Sequence, residues 1–195
     1  MNHLQAIDQG AKVGVPYHEI ARKVFLTYPT QVFVGAEEQQ YEILNEISEF
    51  FSIPIMCIHV VGSAKTGKSF HKSQDFIPGS SDLDVGIIDS SLFIKHMELV
   101  FTQSKGYFDR TSFPMRNGVS SFQDYISYLS RGIFRPDLMP VGPERARWND
   151  FFGRLSGKHN KLFRSISAAI YLSQNFFEQK QRSAIKNYLQ NRPIL

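Results

Sequence analysis

Two aspartates separated by one residue are the part of this sequence best suited to chemistry. Asp82 and Asp84 lie in the run Ser81-Asp82-Leu83-Asp84-Val85. Residues i and i+2 of a β-strand face the same side, so we expect both carboxylates to converge on one point. Two carboxylates held together repel each other and raise one pKa unless a cation lies between them. The spacing therefore predicts a Mg²⁺ site in which Asp82 and Asp84 share the ion with triphosphate oxygens.

A Gly-Ser pair upstream of the aspartates is the second candidate for chemistry. Residues 55–61 are apolar and rich in branched side chains, which predicts a buried strand covered on both faces. Gly62 and Ser63 follow it and are expected to begin a short helix, whose free backbone N–H groups and serine hydroxyl suit terminal phosphates. Lys65 and Lys68 are close enough in sequence to offset triphosphate charge. Together these residues predict phosphoryl-type transfer by positioning and electrostatics.

The same stretch also satisfies a competing motif, the P-loop. Residues 62–69 match G-x-x-x-x-G-K-[ST] directly after the predicted strand. In this interpretation backbone N–H groups cradle phosphates, Lys68 reaches the β and γ phosphates, and Ser69 holds magnesium. A P-loop must feed a helix of several turns, yet the residues after Ser69 have little apolar periodicity and reach Pro78-Gly79. A P-loop NTPase is therefore kept as the second alternative.

The order of these motifs resembles the polymerase-β-like nucleotidyltransferase superfamily. Its signature is a strand ending in Gly-Ser and then Asp-x-Asp on the next strand, matched here by residues 58–63 and 81–89, within a region of resemblance of about 37–105. The resemblance implies transfer of a nucleoside monophosphate from ATP or another nucleoside triphosphate to a hydroxyl acceptor. It implies that Asp82 and Asp84 hold Mg²⁺ and that Gly62 and Ser63 bind phosphates.

The resemblance also implies a third carboxylate, which acts as a base toward the attacking hydroxyl. The predicted third strand, residues 166–172, contains no Asp or Glu. Asp137, in the non-helical context Arg135-Pro136-Asp137-Leu138, is the best substitute. Without such a base we expect transfer to be about 10²–10⁴-fold slower while nucleotide binding is retained. A catalytically weak nucleotide- or RNA-binding module of the same fold is therefore the first alternative.

The elements that must position these residues predict an α/β (α+β) fold, with a small mixed β-sheet, packed helices and a nucleotidyltransferase-like core. The division is an N-terminal arm and short helix (1–30), the core (31–118) and a mostly helical C-terminal part packed on it (119–195). Apolar spacing predicts helices at 17–26, 37–51, 91–101, 120–129, 145–155 and 176–189, strands at 55–61, 83–88 and 166–172, and a loose arm over 1–16.

Length, charge and composition exclude several classes of protein. The 195 residues are 42% hydrophobic and carry a net charge of +4, which argues against wholesale disorder. The single cysteine, Cys57, rules out an intramolecular disulfide and sits in a predicted apolar strand where a thiol is inert. No apolar run approaches the ~20 residues that span a bilayer. Because the first residues also do not read as a signal peptide, we expect a cytoplasmic protein with no membrane partner.

Basic residues accumulate in the last fifty positions, and we interpret them as the solvated faces of terminal helices, with a phosphate-binding surface as the alternative. The acceptor is left open among RNA, protein and small molecule. The chain has little room for a large acceptor-binding domain, so the C-terminal part or a partner chain is expected to supply that surface. The basic set is Arg145, Arg147, Arg154, Lys158, Lys161, Arg164, Lys180, Arg182, Lys186 and Arg192.

Overall fold

A four-stranded mixed sheet forms the centre of the computed structural model, which describes residues 2–191. The strands are β1 (Ile58–Val61), β2 (Leu83–Ile88), β3 (Met115–Arg116), β4 (Val119–Ser120), β5 (Ile133–Phe134) and β6 (Ile166–Tyr171). The order in the sheet is β1-β2-β6-β5, and β3 and β4 form a separate hairpin. β2 is antiparallel to β1 and parallel to β6, while β5 is antiparallel to β6.

Helices surround this sheet, so the predicted α+β class with a small mixed sheet is confirmed. The α-helices are α1 (His3–Lys12), α2 (Tyr17–Arg22), α3 (Glu37–Phe51), α4 (Gly62–Thr66), α5 (Ser90–Gln103), α6 (Phe122–Leu129), α7 (Pro143–Lys158) and α8 (Gln174–Gln190). A π-helical turn (Lys23–Thr27) continues α2, and single 3₁₀ turns occupy Gln31–Phe33, Ile55–Cys57 and Pro136–Leu138. Among the described residues, no helix has the length and apolar character needed to cross a membrane.

One face of the sheet carries the larger core. Leu83, Val85 and Ile87 of β2 point to this face, because every second side chain of a strand lies on the same side of the sheet. Each of the helices α3, α5 and α7 packs an apolar side against this face. Their buried side chains include Ile43, Ile47, Leu92, Phe93, Phe152 and Leu155.

The opposite face is covered over only part of its length. There α1, α2 and α8 pack on the later residues of β2 and β6, around Tyr171 and Phe177. Gly86 allows this approach, because a Cβ there would lie 2.8 Å from the Phe177 ring. The earlier residues on this face, Asp84 and Ser167, are exposed. The sheet therefore presents an uncovered end to solvent beside a packed one.

Several elements differ from the sequence predictions. Residues 3–12 form α1 instead of a loose arm: Asn2 and Gln5 make a reciprocal capping box, and the buried Ile7 anchors the helix. Strand β1 begins only at Ile58, because Pro54 leads into a 3₁₀ turn, and its residues alternate between buried and half-buried instead of being covered on both faces. Cys57 consequently lies in that turn, outside the strand.

The remaining predicted helices and strands are confirmed, with ends that move by a few residues, and α3 and β2 have the predicted bounds. The two-residue strands β3, β4 and β5 were not predicted, since so short a run carries no periodicity. The boundaries at residues 30 and 118 and the cytoplasmic location stay predictions. Arg192, the last member of the basic set, lies outside the described residues.

Candidate functional site

The uncovered end of the sheet opens into a cavity of about 930 Å³, and five of the predicted site residues line it: Gly62, Ser63, Asp82, Asp84 and Asp137. In the antiparallel pair, Val61 of β1 lies opposite Asp84 of β2. Gly62 and Ser63, which follow Val61, therefore come beside Asp84, and both line the cavity together with Asp82. The sequence prediction that these groups share one site agrees with their placement.

Position 62 needs a glycine because its backbone passes close to the Asp84 carboxylate. The Gly62 φ of +66° lies in the left-handed region, which glycine adopts without the steric cost of a side chain. A Cβ on Gly62 would lie 2.9 Å from Asp84 Oδ2. The glycine thus lets the chain turn from β1 into α4 while the Asp84 carboxylate passes close to its backbone.

Asp82 is held by a bidentate ion pair that crosses from the segment before β6. Arg164 donates from Nε to Oδ1 at 3.0 Å and from Nη2 to Oδ2 at 2.5 Å. The Ser165 hydroxyl donates to Oδ1 at 2.7 Å. Burial alone raises the pKa of Asp82, but the hydrogen bonds from Arg164 and Ser165 and the Arg164 charge outweigh it, so the pKa falls below its usual value. Asp82 is therefore ionised and already compensated by a cation of the chain.

Asp84 is the less compensated carboxylate. Its surface opens into the cavity, while the cavity walls enclose it on the other sides. This burial, followed by the charge of Asp82, raises the pKa of Asp84. The hydroxyl of Ser167, its pairing partner on β6, donates a long hydrogen bond of 3.3 Å. A cation bound here would be stabilised more by Asp84 than by Asp82, because Asp82 already pairs with Arg164.

The fit of Mg²⁺ to this pair rests on two carboxylates. Within residues 2–191, no group of three or more His, Cys, Asp or Glu side chains is arranged to hold a metal ion. Mg²⁺ is commonly bound through one or two carboxylates, with substrate phosphates and water completing its shell. Asp84 and the Oδ2 atom of Asp82, which accepts one hydrogen bond, suit such an open site. A metal held by protein ligands alone does not fit these residues.

Asp137 lines the cavity, but its carboxylate is occupied. Arg135 donates two hydrogen bonds to it at 2.8 Å, and Arg116 donates one at 2.6 Å. Burial raises the pKa of Asp137, and the two guanidinium groups outweigh this and lower it. A carboxylate with a lowered pKa is a poor proton acceptor. On β6, the strand on which the third carboxylate was expected, the residue paired with Asp84 is Ser167.

The two lysines chosen from sequence lie elsewhere. Lys65 is buried and donates from Nζ to the Tyr28 carbonyl at 2.6 Å, and this burial lowers its pKa to about 8. Lys68 pairs through its backbone with Asp75. Neither belongs to the cavity wall that the described residues form. A helix turns successive side chains by about 100°, so a lysine two residues after Ser63 points away from the face that Ser63 occupies.

Sequence reasoning missed the cationic residues that do line the cavity. They are Lys72, Arg135, Arg164 and Lys180. Arg164 and Lys180 belong to the basic set of the last fifty residues, whose alternative interpretation was phosphate binding. Arg164 stands two residues before the predicted third strand, and this position is the signal that could have placed it near the strand ends. The segment between α4 and β2 contributes Lys72 and also His71 to the wall.

The P-loop motif folds differently from a P-loop. Residues 62–66 are themselves the short helix α4, and Gly67 ends it with a φ of +78°. The segment from Gly67 to Asp82 consists of turns and bends with one isolated bridge and contains no helix. The helix that a P-loop feeds is thus missing from this described segment, which weighs against that alternative.

No family model, no curated protein and no solved structure matches this chain. The chemistry of the cavity therefore has to be inferred from its own residues.

Proposed function

We propose that this protein binds a nucleoside triphosphate with Mg²⁺ in the cavity and transfers a nucleoside monophosphate to a hydroxyl acceptor. The observation that carries the proposal is the meeting of Asp82 and Asp84 with Gly62-Ser63 at one end of the cavity of about 930 Å³. Paired carboxylates beside a polar turn form a site for a cation bridged to phosphates.

The electrostatics of the cavity support the binding of a triphosphate. Asp84 has a raised pKa because burial and the charge of Asp82 disfavour its ionised form, and a divalent cation would relieve both effects. Lys72, Arg164 and Lys180 line the same cavity and supply positive charge toward the phosphate tail. Mg²⁺, when bound, would neutralise charge on the phosphate oxygens during transfer.

The proposed step moves one group between two oxygens. The acceptor oxygen forms a bond to the α-phosphorus, and the bond from that phosphorus to the α–β bridging oxygen breaks. Pyrophosphate leaves with the electron pair, and the hydroxyl proton passes to water. The chain contributes by holding the reactants in line and stabilising charge, which is most of what phosphoryl-type transfer requires.

A second candidate function is nucleotide binding without efficient transfer. Two observations favour it: Ser167 lies opposite Asp84 on β6, and Arg164 already occupies Asp82. Asp137, the predicted base, is held by two arginines and is therefore a poor proton acceptor. RNA, protein and small molecules remain open as acceptors, and a partner chain could supply their binding surface.

Calorimetric titration of ATP and GTP, with Mg²⁺ and with EDTA, tests the proposal. Wild-type protein is expected to bind a nucleotide more tightly with Mg²⁺. Asp84→Asn is expected to lose at least tenfold in that affinity, because loss of even an outer-shell partner of a metal costs 10–100-fold. Asp124→Asn, an exposed aspartate of α6 outside the cavity wall, is the control and should bind like wild type. Equal affinities in wild type and Asp84→Asn would refute the metal role.

Transfer is measured separately with an α-labelled nucleotide and candidate acceptors. Release of pyrophosphate together with a labelled acceptor supports the transferase. Nucleotide binding without pyrophosphate release supports the second candidate.

A further inference from the structure

A glycine in the middle of α7 has no structural reason within the described chain. Gly153 lies in the interior of a 16-residue helix, where glycine lowers helix stability relative to alanine. Gly153 does not have a positive φ, and a Cβ added to it would meet no atom within 4 Å. Gly153 does line the cavity that contains Asp84. The missing side chain therefore leaves space on the cavity side of the helix.

A free polar group lies on the same side of α7. Asn149 precedes Gly153 by four residues, so the two share one face of the helix, and both line the cavity. The Asn149 side chain is exposed and makes no hydrogen bond, ion pair or ring contact with the described residues. An amide offers two donors and an acceptor, which suits a ligand with both kinds of group.

The wall across from α7 is an open edge of the sheet. β5 pairs only with Ile170 and Tyr171, so the first half of β6 has no strand partner on this side among the described residues. The Leu172 N–H bonds to the Gly132 carbonyl, which shows that the even-numbered residues direct their backbone groups to this edge. The N–H and C=O groups of Ala168 therefore point into the space between β6 and α7, and Ala168 also lines the cavity.

The spacing between these two walls is fixed at one end. The Ile166 N–H donates to the Ser156 hydroxyl of α7 at 2.8 Å, and that hydroxyl donates to the Phe152 carbonyl at 2.6 Å. The slot bounded by Asn149, Gly153 and Ala168 begins beside this link. These three residues are uncharged, and the Asn149 amide and the Ala168 backbone offer hydrogen-bond donors and acceptors.

We propose that this slot holds the nucleobase of the bound nucleotide. The flat ring packs on the helix backbone at Gly153, and Asn149 and the Ala168 backbone hydrogen-bond with its edge. A neutral ring suits the three uncharged residues of the slot, while the phosphates suit the groups around Asp84 and Arg164. This inference rests on the proposed function, because it assigns one part of the same ligand.

Matched substitutions in one helix test the assignment. Gly153→Ala and Gly153→Leu are compared with Gly157→Ala and Gly157→Leu, because Gly157 also has open space at its Cβ but is not among the described residues that line the cavity. Both alanine variants should raise Tm by about 2–4 °C. The probes are Mg²⁺ with ATP and Mg²⁺ with inorganic tripolyphosphate, which has no base.

The expected result is a graded loss of ATP affinity at position 153 alone, reaching tenfold or more for leucine, with tripolyphosphate affinity unchanged in all variants. Asn149→Ala should change the ratio of ATP to GTP affinity, and it gives a second readout if Gly153→Leu does not fold. ATP binding that ignores both Gly153 and Asn149 would overturn the slot while leaving the proposed function in place. An equal loss for ATP and tripolyphosphate would also overturn it, since the slot would then hold phosphates. Absence of nucleotide binding in wild type would overturn both proposals.

Discussion

Replacing Gly62 with alanine tests whether this glycine is kept for the close passage of Asp84 and not only for its positive φ. The φ of +66° costs an L-residue roughly 1–2 kcal/mol. The added Cβ would also lie 2.9 Å from Asp84 Oδ2, closer than real contacts allow. Turning the carboxylate away from its rotamer adds about 0.5–1.5 kcal/mol. We expect a total loss of about 2 kcal/mol, or about 4–8 °C in Tm for a chain of this size.

Gly14→Ala is the matched control. Gly14 has a φ of +78° and no atom within 4 Å of an added Cβ, and it is not part of the described cavity wall. Alanine also reduces the entropy of the unfolded chain, but this effect is common to both variants. The difference between Gly62→Ala and Gly14→Ala therefore isolates the collision with Asp84, and Gly62→Ala should be the less stable by about 1 kcal/mol.

The functional assay is titration with Mg²⁺ and ATP alongside thermal unfolding. Gly62→Ala should lose at least tenfold in affinity, because the displaced Asp84 carboxylate no longer faces the bound cation. Gly14→Ala should bind like wild type. If the two variants show the same Tm and the same affinity, the argument that Gly62 is kept for the passage of Asp84 is refuted.

Two further predictions concern the charges around the site. Arg164→Gln should raise the pKa of Asp82. Because the wild-type folded pKa lies below the unfolded value, wild type should have the larger free energy of unfolding at neutral pH, and this difference should fade as the pH falls through the folded pKa. Unfolding measured from pH 7 to pH 2 checks this. Lys65 has its pKa lowered to about 8 from 10.5, so the unfolded chain binds more protons between these values and wild-type stability should rise over that pH interval. A Lys65→Met variant should lack this rise and keep its nucleotide affinity, whereas Lys72→Met should lose roughly 2–10-fold, measured by calorimetry. Equal nucleotide affinities in the two lysine variants would contradict the placement of Lys72 at the ligand.

Local patterns of the sequence predicted most of the elements. Helix α3 has an apolar residue every three or four positions, and β2 alternates core residues with Asp84 and Gly86, so each element was recognisable on its own. The loose arm was the main error, because α1 is short, contains Gly10 and buries few side chains. A helix of this kind gains its stability from packing against distant elements.

The same limit explains the incomplete view of the site. The spacing of Asp82 and Asp84 and the Gly62-Ser63 pair are local features, and the sequence alone was enough to predict that they meet. Their partners are not local: Arg164 stands 82 positions from Asp82 in the chain. The direction in which Lys65 points from the five-residue helix α4 also depends on the fold. Its ammonium group donates to the Tyr28 carbonyl, and other cationic residues line the cavity.

The sequence by itself determined the pair of carboxylates, the glycine turn beside them and the strands that present them, because each depends on residues close together in the chain. The tertiary structure decided which charges compensate those carboxylates. The parallel pairing of β2 with β6 puts Ser167 opposite Asp84 and Arg164 against Asp82. The turn after β5 brings Asp137 to Arg135 of its own segment and to Arg116 of β3. These pairings depend on strand register and on approaches between remote segments, which only the folded chain defines.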